Sequence, residues 1–188
     1  DEYKYDYLII AAGSVPNYYG IEGMEEHSFP LWSYKDAIRV RERIKEMFIL
    51  ASQEKDAIKR KSLLTFVVGG GGFTGVEMMG ELALWVNQLC DEHNLPRDEV
   101  RLVLIEALPN ILNNLKPNGI KKSTDYLTKK LKVEVLLNKA IVKLDENQVE
   151  LKDGTVIPTK TLIWTAGVRA SNITDKLNID KGKAARIT

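Results

Sequence analysis

Of the 188 residues in this sequence, Cys90 is the only cysteine. That excludes an internal disulfide and suits a reducing, cytoplasmic compartment. Histidine is nearly as scarce. His27 and His93 are the two present, in polar loops or helix ends without a Cys or His neighbour, so neither a metal site nor a Ser/His/Asp constellation is expected. No charge of one sign dominates: 27 Lys and Arg against 26 Asp and Glu leave a net charge of +1. A balance this even gives no footprint for nucleic acid or an anionic membrane. No apolar run approaches the roughly 20 residues a membrane-spanning helix needs. The opening Asp1-Glu2-Tyr3-Lys4 has neither an initiator methionine nor a basic leader, so no signal peptide is expected. The length suits one well-packed core with room for a small appendage.

Glycine is concentrated at one place. The apolar run Leu63-Leu64-Thr65-Phe66-Val67-Val68 leads directly into Gly70, Gly72 and Gly75, spaced as G-x-G-x-x-G, and an apolar-periodic helix follows. The pattern alone is weak, but strand, glycines and helix in this order form a phosphate-binding device. Gly70 permits the tight turn out of the strand, Gly72 lets a pyrophosphate approach the backbone, and Gly75 lets the helix pack on the strand. The helix N-terminus adds free N–H groups and about half a positive charge. The alternative is a flexible loop joining two elements. The dinucleotide reading makes Gly70, Gly71, Gly72, Phe73, Thr74 and Gly75 cofactor-binding candidates.

Around this loop the element order is legible. Tyr7-Leu8-Ile9-Ile10-Ala11-Ala12-Gly13 reads as a short strand ahead of a polar loop. Ser33-Tyr34-Lys35-Asp36 has capping-box form, and Ala37, Val40, Ile44, Met47 and Ala51 follow at helical spacing. Glu54 to Ser62 reads as a polar connector. The helix from about Thr74 to His93 carries two apolar rows, implying burial on more than one side; Cys90 lies in one row and reads as core filler. Arg101-Leu102-Val103-Leu104-Ile105-Glu106 is a buried strand ending in a carboxylate. At that point of a dinucleotide fold the carboxylate accepts from the adenine-ribose hydroxyls. Glu106 lies 31 residues beyond Gly75 against a usual gap of about 20, the excess matching the long helix and the polar excursion containing Pro96. The alternative is an exposed strand-end glutamate.

A helix near Gly119 to Leu131 and the strand Val133 to Leu137 follow. Three short segments then run at about 141–144, 149–152 and 155–157, separated by the turn pairs Glu146-Asn147 and Asp153-Gly154. The last strand, Thr161-Leu162-Ile163-Trp164, ends in Thr165-Ala166-Gly167. It shares an Ala-Gly step with the first, allowing close backbone approach to a ligand or strand. The fold expected is a three-layer α/β domain with a parallel sheet, a three-stranded antiparallel meander, and helices on the opposite face.

Asp6-Tyr7-Leu8-Ile9-Ile10-Ala11-Ala12-Gly13-Ser14, with Pro16-Asn17, resembles the FAD-domain segment of flavoproteins that carry two dinucleotide-binding domains. Gly70-x-Gly72-x-x-Gly75-x-Glu77 resembles the NAD(P)-domain loop of the same superfamily, the pyridine nucleotide-disulfide oxidoreductases, and Trp164-Thr165-Ala166-Gly167-Val168 its exit. Together with Asp36-Ala37-Ile38-Arg39-Val40-Arg41, Gly80-Glu81-Leu82 and the continuation Arg169-Ala170-Ser171, these residues are most similar to type II NADH dehydrogenases. The resemblance covers nearly the whole chain.

It implies a Rossmann-like NAD(H)-binding domain at 31–167, with partial FAD-domain segments at 1–30 and 168–188. It further implies NAD(H) as the dinucleotide, with FAD, a quinone acceptor and peripheral attachment at the inner face of the membrane belonging to the full-length protein; a homo-oligomer is compatible with it. The family's N-terminal FAD glycine loop and C-terminal membrane part do not appear in these 188 residues, so this chain by itself is expected to be colourless and inactive with quinone. The resemblance adds Ala107, Ile141, Ala166 and Gly167 to the cofactor-binding candidates, and it places Glu77 near the nicotinamide, orienting its carboxamide. The alternative for Glu77 is a carboxylate favourable to the helix dipole by about 0.3–1 kcal/mol. Single-cysteine composition excludes a C-x-x-C redox pair inside the domain. A related reductase with a disulfide or ferredoxin acceptor, and a non-catalytic NAD-binding module, remain the alternatives.

Overall fold

In the computed structural model, which describes residues 2–187, strand β1 (Ser14–Pro16), helix α1 (Met24–His27) and strand β2 (Phe29–Pro30) lead into the long helix α2 (Tyr34–Gln53). Helix α3 (Ala57–Leu63), β3 (Thr65–Gly69), α4 (Phe73–His93), β4 (Arg101–Ile105), α5 (Pro117–Asp125) and β5 (Glu134–Leu136) follow. The chain closes with β6 (Ile141–Leu144), β7 (Gln148–Leu151), β8 (Val156–Pro158), β9 (Thr161–Trp164) and β10 (Val168–Ala170).

Five strands form a parallel sheet in the order β2-β9-β3-β4-β5. β3 is central and buried at every residue, which is why its sequence is a continuous apolar run rather than an alternating one. Successive side chains point to opposite faces, and two cores result. Phe66, Val68, Leu102, Leu104 and Ile163 pack against Val40, Ile44, Met47 and Phe48 of α2 and Met79, Leu82, Val86 and Leu89 of α4. Val67, Val103, Ile105, Leu162 and Trp164 face the other way, onto Leu144, Val149, Leu151 and Ile157 of the antiparallel sheet β6-β7-β8. Helices, parallel sheet and meander are therefore three layers, as the sequence predicts. Cys90 belongs to the helix-side core, and burial pushes its thiol pKa up. It fills space as a neutral side chain.

Both meander turns use the expected residues. Asp145 Oδ1 accepts from the N–H groups of Asn147 and Gln148 at 2.8 and 3.0 Å, and Gly154 takes φ +85°, where a side chain would be strained. The capping box on α2 is complete: Ser33 N–H donates to Asp36 Oδ2 at 2.8 Å, and Asp36 N–H donates to Ser33 Oγ at 3.2 Å. Ser33→Ala removes one half of this reciprocal pair. It is expected to cost about 1 kcal/mol and to lower the melting temperature by about 2–4 °C in a domain of this size; a calorimetric scan measures it.

Two sequence expectations need correction. The segment Tyr7 to Gly13 is not a strand; Tyr7, Leu8 and Ile9 are largely exposed because no strand among the described residues pairs with them. Instead β1 pairs with β10 antiparallel, Ser14 opposite Ala170. The supposed connector from Glu54 to Ser62 contains α3. This helix buries no residue, and Asp56 holds its start by accepting from the Ile58 and Lys59 N–H groups; a helix stabilised by its cap leaves little apolar period to read.

The chain divides into a unit spanning Tyr18–Ala166 and a smaller unit made of the residues through Asn17 and those from Gly167 on. Met24 is fully buried in the meander-side core and β2 is the edge strand of the parallel sheet, so both pack with the larger unit.

Candidate dinucleotide site

β3 and its neighbours β4 and β9 all end on the same edge of the parallel sheet. The chain leaves β3 through the glycine loop toward β4 on one side, while β9 returns on the other. Ligands of open α/β sheets sit at such a switch point, outside the carboxyl ends of the strands. A cleft of about 430 Å³ opens there, lined by Gly70, Glu106, Ala107, Ile141 and Ala166 among others. Its floor is the apolar surface of Ile105, Ile141 and Trp164.

The glycines of the loop differ in what requires them. Gly70 has φ +111°, and a Cβ there would lie 2.9 Å from the Ala166 Cβ. A Cβ on Gly75 would fall 1.9 Å from the Gly70 carbonyl oxygen, so only glycine lets α4 seat on the loop. Gly71 is hemmed in by Ile111 and Glu106. Gly72 is different: its φ of −73° suits any residue, and a Cβ would meet nothing within 4 Å. The fold does not demand glycine at 72. Its open side is the cradle that a phosphate group would fill.

Gly72 is also the N-cap of α4, and no side chain caps that end. The N–H groups of the first turn, on Phe73, Thr74 and Gly75, therefore lack intrahelical acceptors. Phe73 and Thr74 are exposed. Glu77 is exposed as well. It is the fifth helical residue, and no acidic residue lies in the first turn. The dipole effect decays within that turn, so the dipole accounts for little of a carboxylate at 77.

Glu106 follows β4 and is tied to the loop. Gly71 N–H donates to its Oε2 at 2.6 Å, and Leu108 N–H donates to its Oε1 at 2.8 Å. One carboxylate thus orders the glycine loop and the turn after β4 together. Each oxygen keeps lone-pair capacity for a further donor. The residues present fit a dinucleotide: an uncapped helix start, an open glycine, and an acceptor carboxylate at the end of the next strand.

The cleft brings together Gly70, Glu106, Ala107, Ile141 and Ala166, with Gly71, Gly72, Phe73, Thr74 and Gly75 forming the loop and helix start that Gly71 joins to Glu106. Gly167, at φ +84°, belongs to the smaller unit. Sequence reasoning missed Tyr19, Trp164 as part of the floor, and Lys139. Tyr19 has φ 53° and meets Trp164 edge-on at 6.4 Å between ring centres. Lys139 follows β5 and donates its N–H to the Glu106 carbonyl at 3.0 Å. The neighbouring position of β4 and β5 in the sheet was the available signal for it. Among the described residues no group of His, Cys, Asp or Glu side chains could hold a metal ion, and no helix is long and apolar enough to cross a membrane.

Comparison with known proteins agrees with this architecture. The sequence matches the family described as pyridine nucleotide-disulphide oxidoreductase over residues 1–188. It is 32% identical over 179 residues to a type II NADH:quinone oxidoreductase of Staphylococcus epidermidis, covering 93% of this chain and 43% of that protein. A Staphylococcus haemolyticus relative of the same description is 30% identical over 184 residues, with the same coverage. The chain therefore spans less than half the length of these curated relatives. The solved structure of NDH2 from Plasmodium falciparum in complex with NADH superposes with a TM-score of 0.86 at 23% identity, covering 96% of this chain and 38% of that one. That likeness is one of fold.

Proposed function

The chain belongs to the pyridine nucleotide-disulphide oxidoreductase family, and on that premise we propose that it is the NADH-binding part of a FAD-dependent NADH:quinone oxidoreductase. The observation that carries this reading is the loop itself. Gly72 is open where the fold needs no glycine, at the uncapped start of α4 and beside a carboxylate that orders the same loop. The relatives whose names include NADH and quinone supply the choice of dinucleotide and acceptor.

In this reading residues 31–167 constitute the NAD(H)-binding domain proper, and the flanking segments 1–30 and 168–188 belong to the FAD domain of a longer protein. That protein works at the inner face of a membrane, where a quinone is met. The dinucleotide, when bound, supplies the hydride that FAD accepts. This chain's residues bind and orient. The amides of Gly72, Phe73 and Thr74 hold the pyrophosphate, Glu106 accepts from the adenine-ribose hydroxyls, and Ala107 and Ile141 give apolar contact to the adenosine end. Ala166 lets the nicotinamide end approach the backbone, and Glu77 orients the carboxamide.

Glu77 has the smallest expected binding effect. Glu77→Gln keeps the polar contact, whereas Glu77→Ala removes it. In the full-length enzyme the Ala variant is expected to lose turnover about tenfold with NADH affinity changed less than threefold, an orienting contact being worth about 1–1.5 kcal/mol. Steady-state kinetics with a soluble quinone distinguishes the two. Equal turnover of wild type and Glu77→Ala would remove the orienting role.

A further inference from the structure

The cleft holds one opposed pair of charges. Among the described residues lining it, Glu106 is the anion and Lys139 the cation, and the two are joined through the backbone bond from Lys139 N–H to the Glu106 carbonyl. Lys139 is not free, however. Its ammonium pairs with Asp153 on the turn between β7 and β8. That turn is itself anchored: Lys152 N–H donates to the Ala140 carbonyl at 2.8 Å, and Asp153 Oδ1 accepts from Thr155 N–H at 3.1 Å. The hydrogen bond from Lys139, with that from Thr155, holds the Asp153 carboxyl down at about 2. A group so depressed loses its charge only as pH falls from the ordinary carboxylate range toward 2, so the pair is intact throughout the neutral range.

A dinucleotide with a 2′-phosphate places about two negative charges near Glu106, and a lysine beside it is the natural counter-charge. We propose that Asp153 is a specificity-determining residue of this site: by holding the Lys139 ammonium on the meander turn, it denies the 2′-phosphate of NADPH the cation that would offset Glu106. The inference rests on the dinucleotide reading above and adds a second determinant on a different layer of the fold. Glu106 repels the phosphate directly. Asp153 acts through Lys139.

The test is paired titration of the 188-residue chain with NADH and NADPH at one low salt concentration, for wild type, Asp153→Asn, Lys139→Met and the double variant. Asn suits the position before Gly154, and Asp153→Ser, which also retains an acceptor for Thr155, serves as a second version. In both single Asp153 variants NADPH should gain on NADH by about 2- to 5-fold, the range for one partly exposed charge contact. The gain should shrink with added salt and vanish when the double variant is read against Lys139→Met alone. An unmoved ratio in folded Asp153→Asn and Asp153→Ser, with NADH still bound, overturns the role of Asp153. A gain that survives loss of Lys139 overturns it too. A folded wild-type chain that takes up neither dinucleotide overturns the reading on which it rests.

Discussion

Gly72→Val is expected to weaken NADH binding by about 100-fold or more while the domain stays folded. The two halves of this expectation come from the same measurement of space. Nothing lies within 4 Å of a Cβ at 72, and the backbone there is extended at φ −73° and ψ −175°, a conformation that valine adopts freely. Valine is a poor N-cap, so a cost of about 0.5–1 kcal/mol is expected. That is only a few degrees in melting temperature. A dinucleotide pyrophosphate needs the same space. Displacing it from two amides removes two hydrogen bonds to a charged group, each worth about 1.5–3 kcal/mol, and 2.7 kcal/mol is already about 100-fold. Calorimetric titration and a thermal scan on the same sample read both halves. Unchanged affinity in a folded variant would mean that the loop is not the phosphate cradle.

The second large effect is discrimination against NADPH, by about 10- to 150-fold in wild type. Two unit charges about 4 Å apart at an effective dielectric near 20 repel by about 4 kcal/mol. Counterions and local rearrangement leave about 1.4–3 kcal/mol, which is that range of affinities. The structure changes what the Glu106 variants should do. The carboxylate already accepts from Gly71 and Leu108 N–H groups, and a glutamine offers one oxygen where two are used. Glu106→Gln should therefore narrow the NADPH discrimination and also weaken NADH, because one backbone N–H near the loop loses its acceptor. Glu106→Ala should narrow it equally and weaken NADH further. Paired titrations at fixed salt separate repulsion, read from the ratio, from loop order, read from NADH alone. Equal wild-type affinity for the two dinucleotides would remove Glu106 from this role.

The parts of the fold legible in the sequence were those whose signal is continuous burial or strict periodicity. β3, β4 and β9 are buried runs, and α2 and α4 carry sustained helical stripes, so their order and their glycine loop could be read residue by residue. The meander was legible through its turns, Glu146-Asn147 and Asp153-Gly154, more than through its short strands. What escaped lacked such a signal. α3 exists by virtue of the Asp56 cap and buries nothing. The run from Tyr7 has the composition of a strand but no partner strand among the described residues, and composition cannot supply one. Of the candidate site, the loop and Glu106 were visible because they are local. Lys139 and Asp153 were not, because 33 residues separate Glu106 from Lys139 and only the pairing of β4 with β5 brings their ends together.

The central claim is that the start of α4 holds the phosphates of NADH, and amide-resolved NMR tests it most directly. In a titration of the ¹⁵N-labelled chain with NADH, the largest saturable shifts are predicted at the amides of Gly72, Phe73 and Thr74, with a second group at Glu106 and Ala107. Saturable NADH binding that leaves the amides of residues 72–74 unmoved would contradict the account.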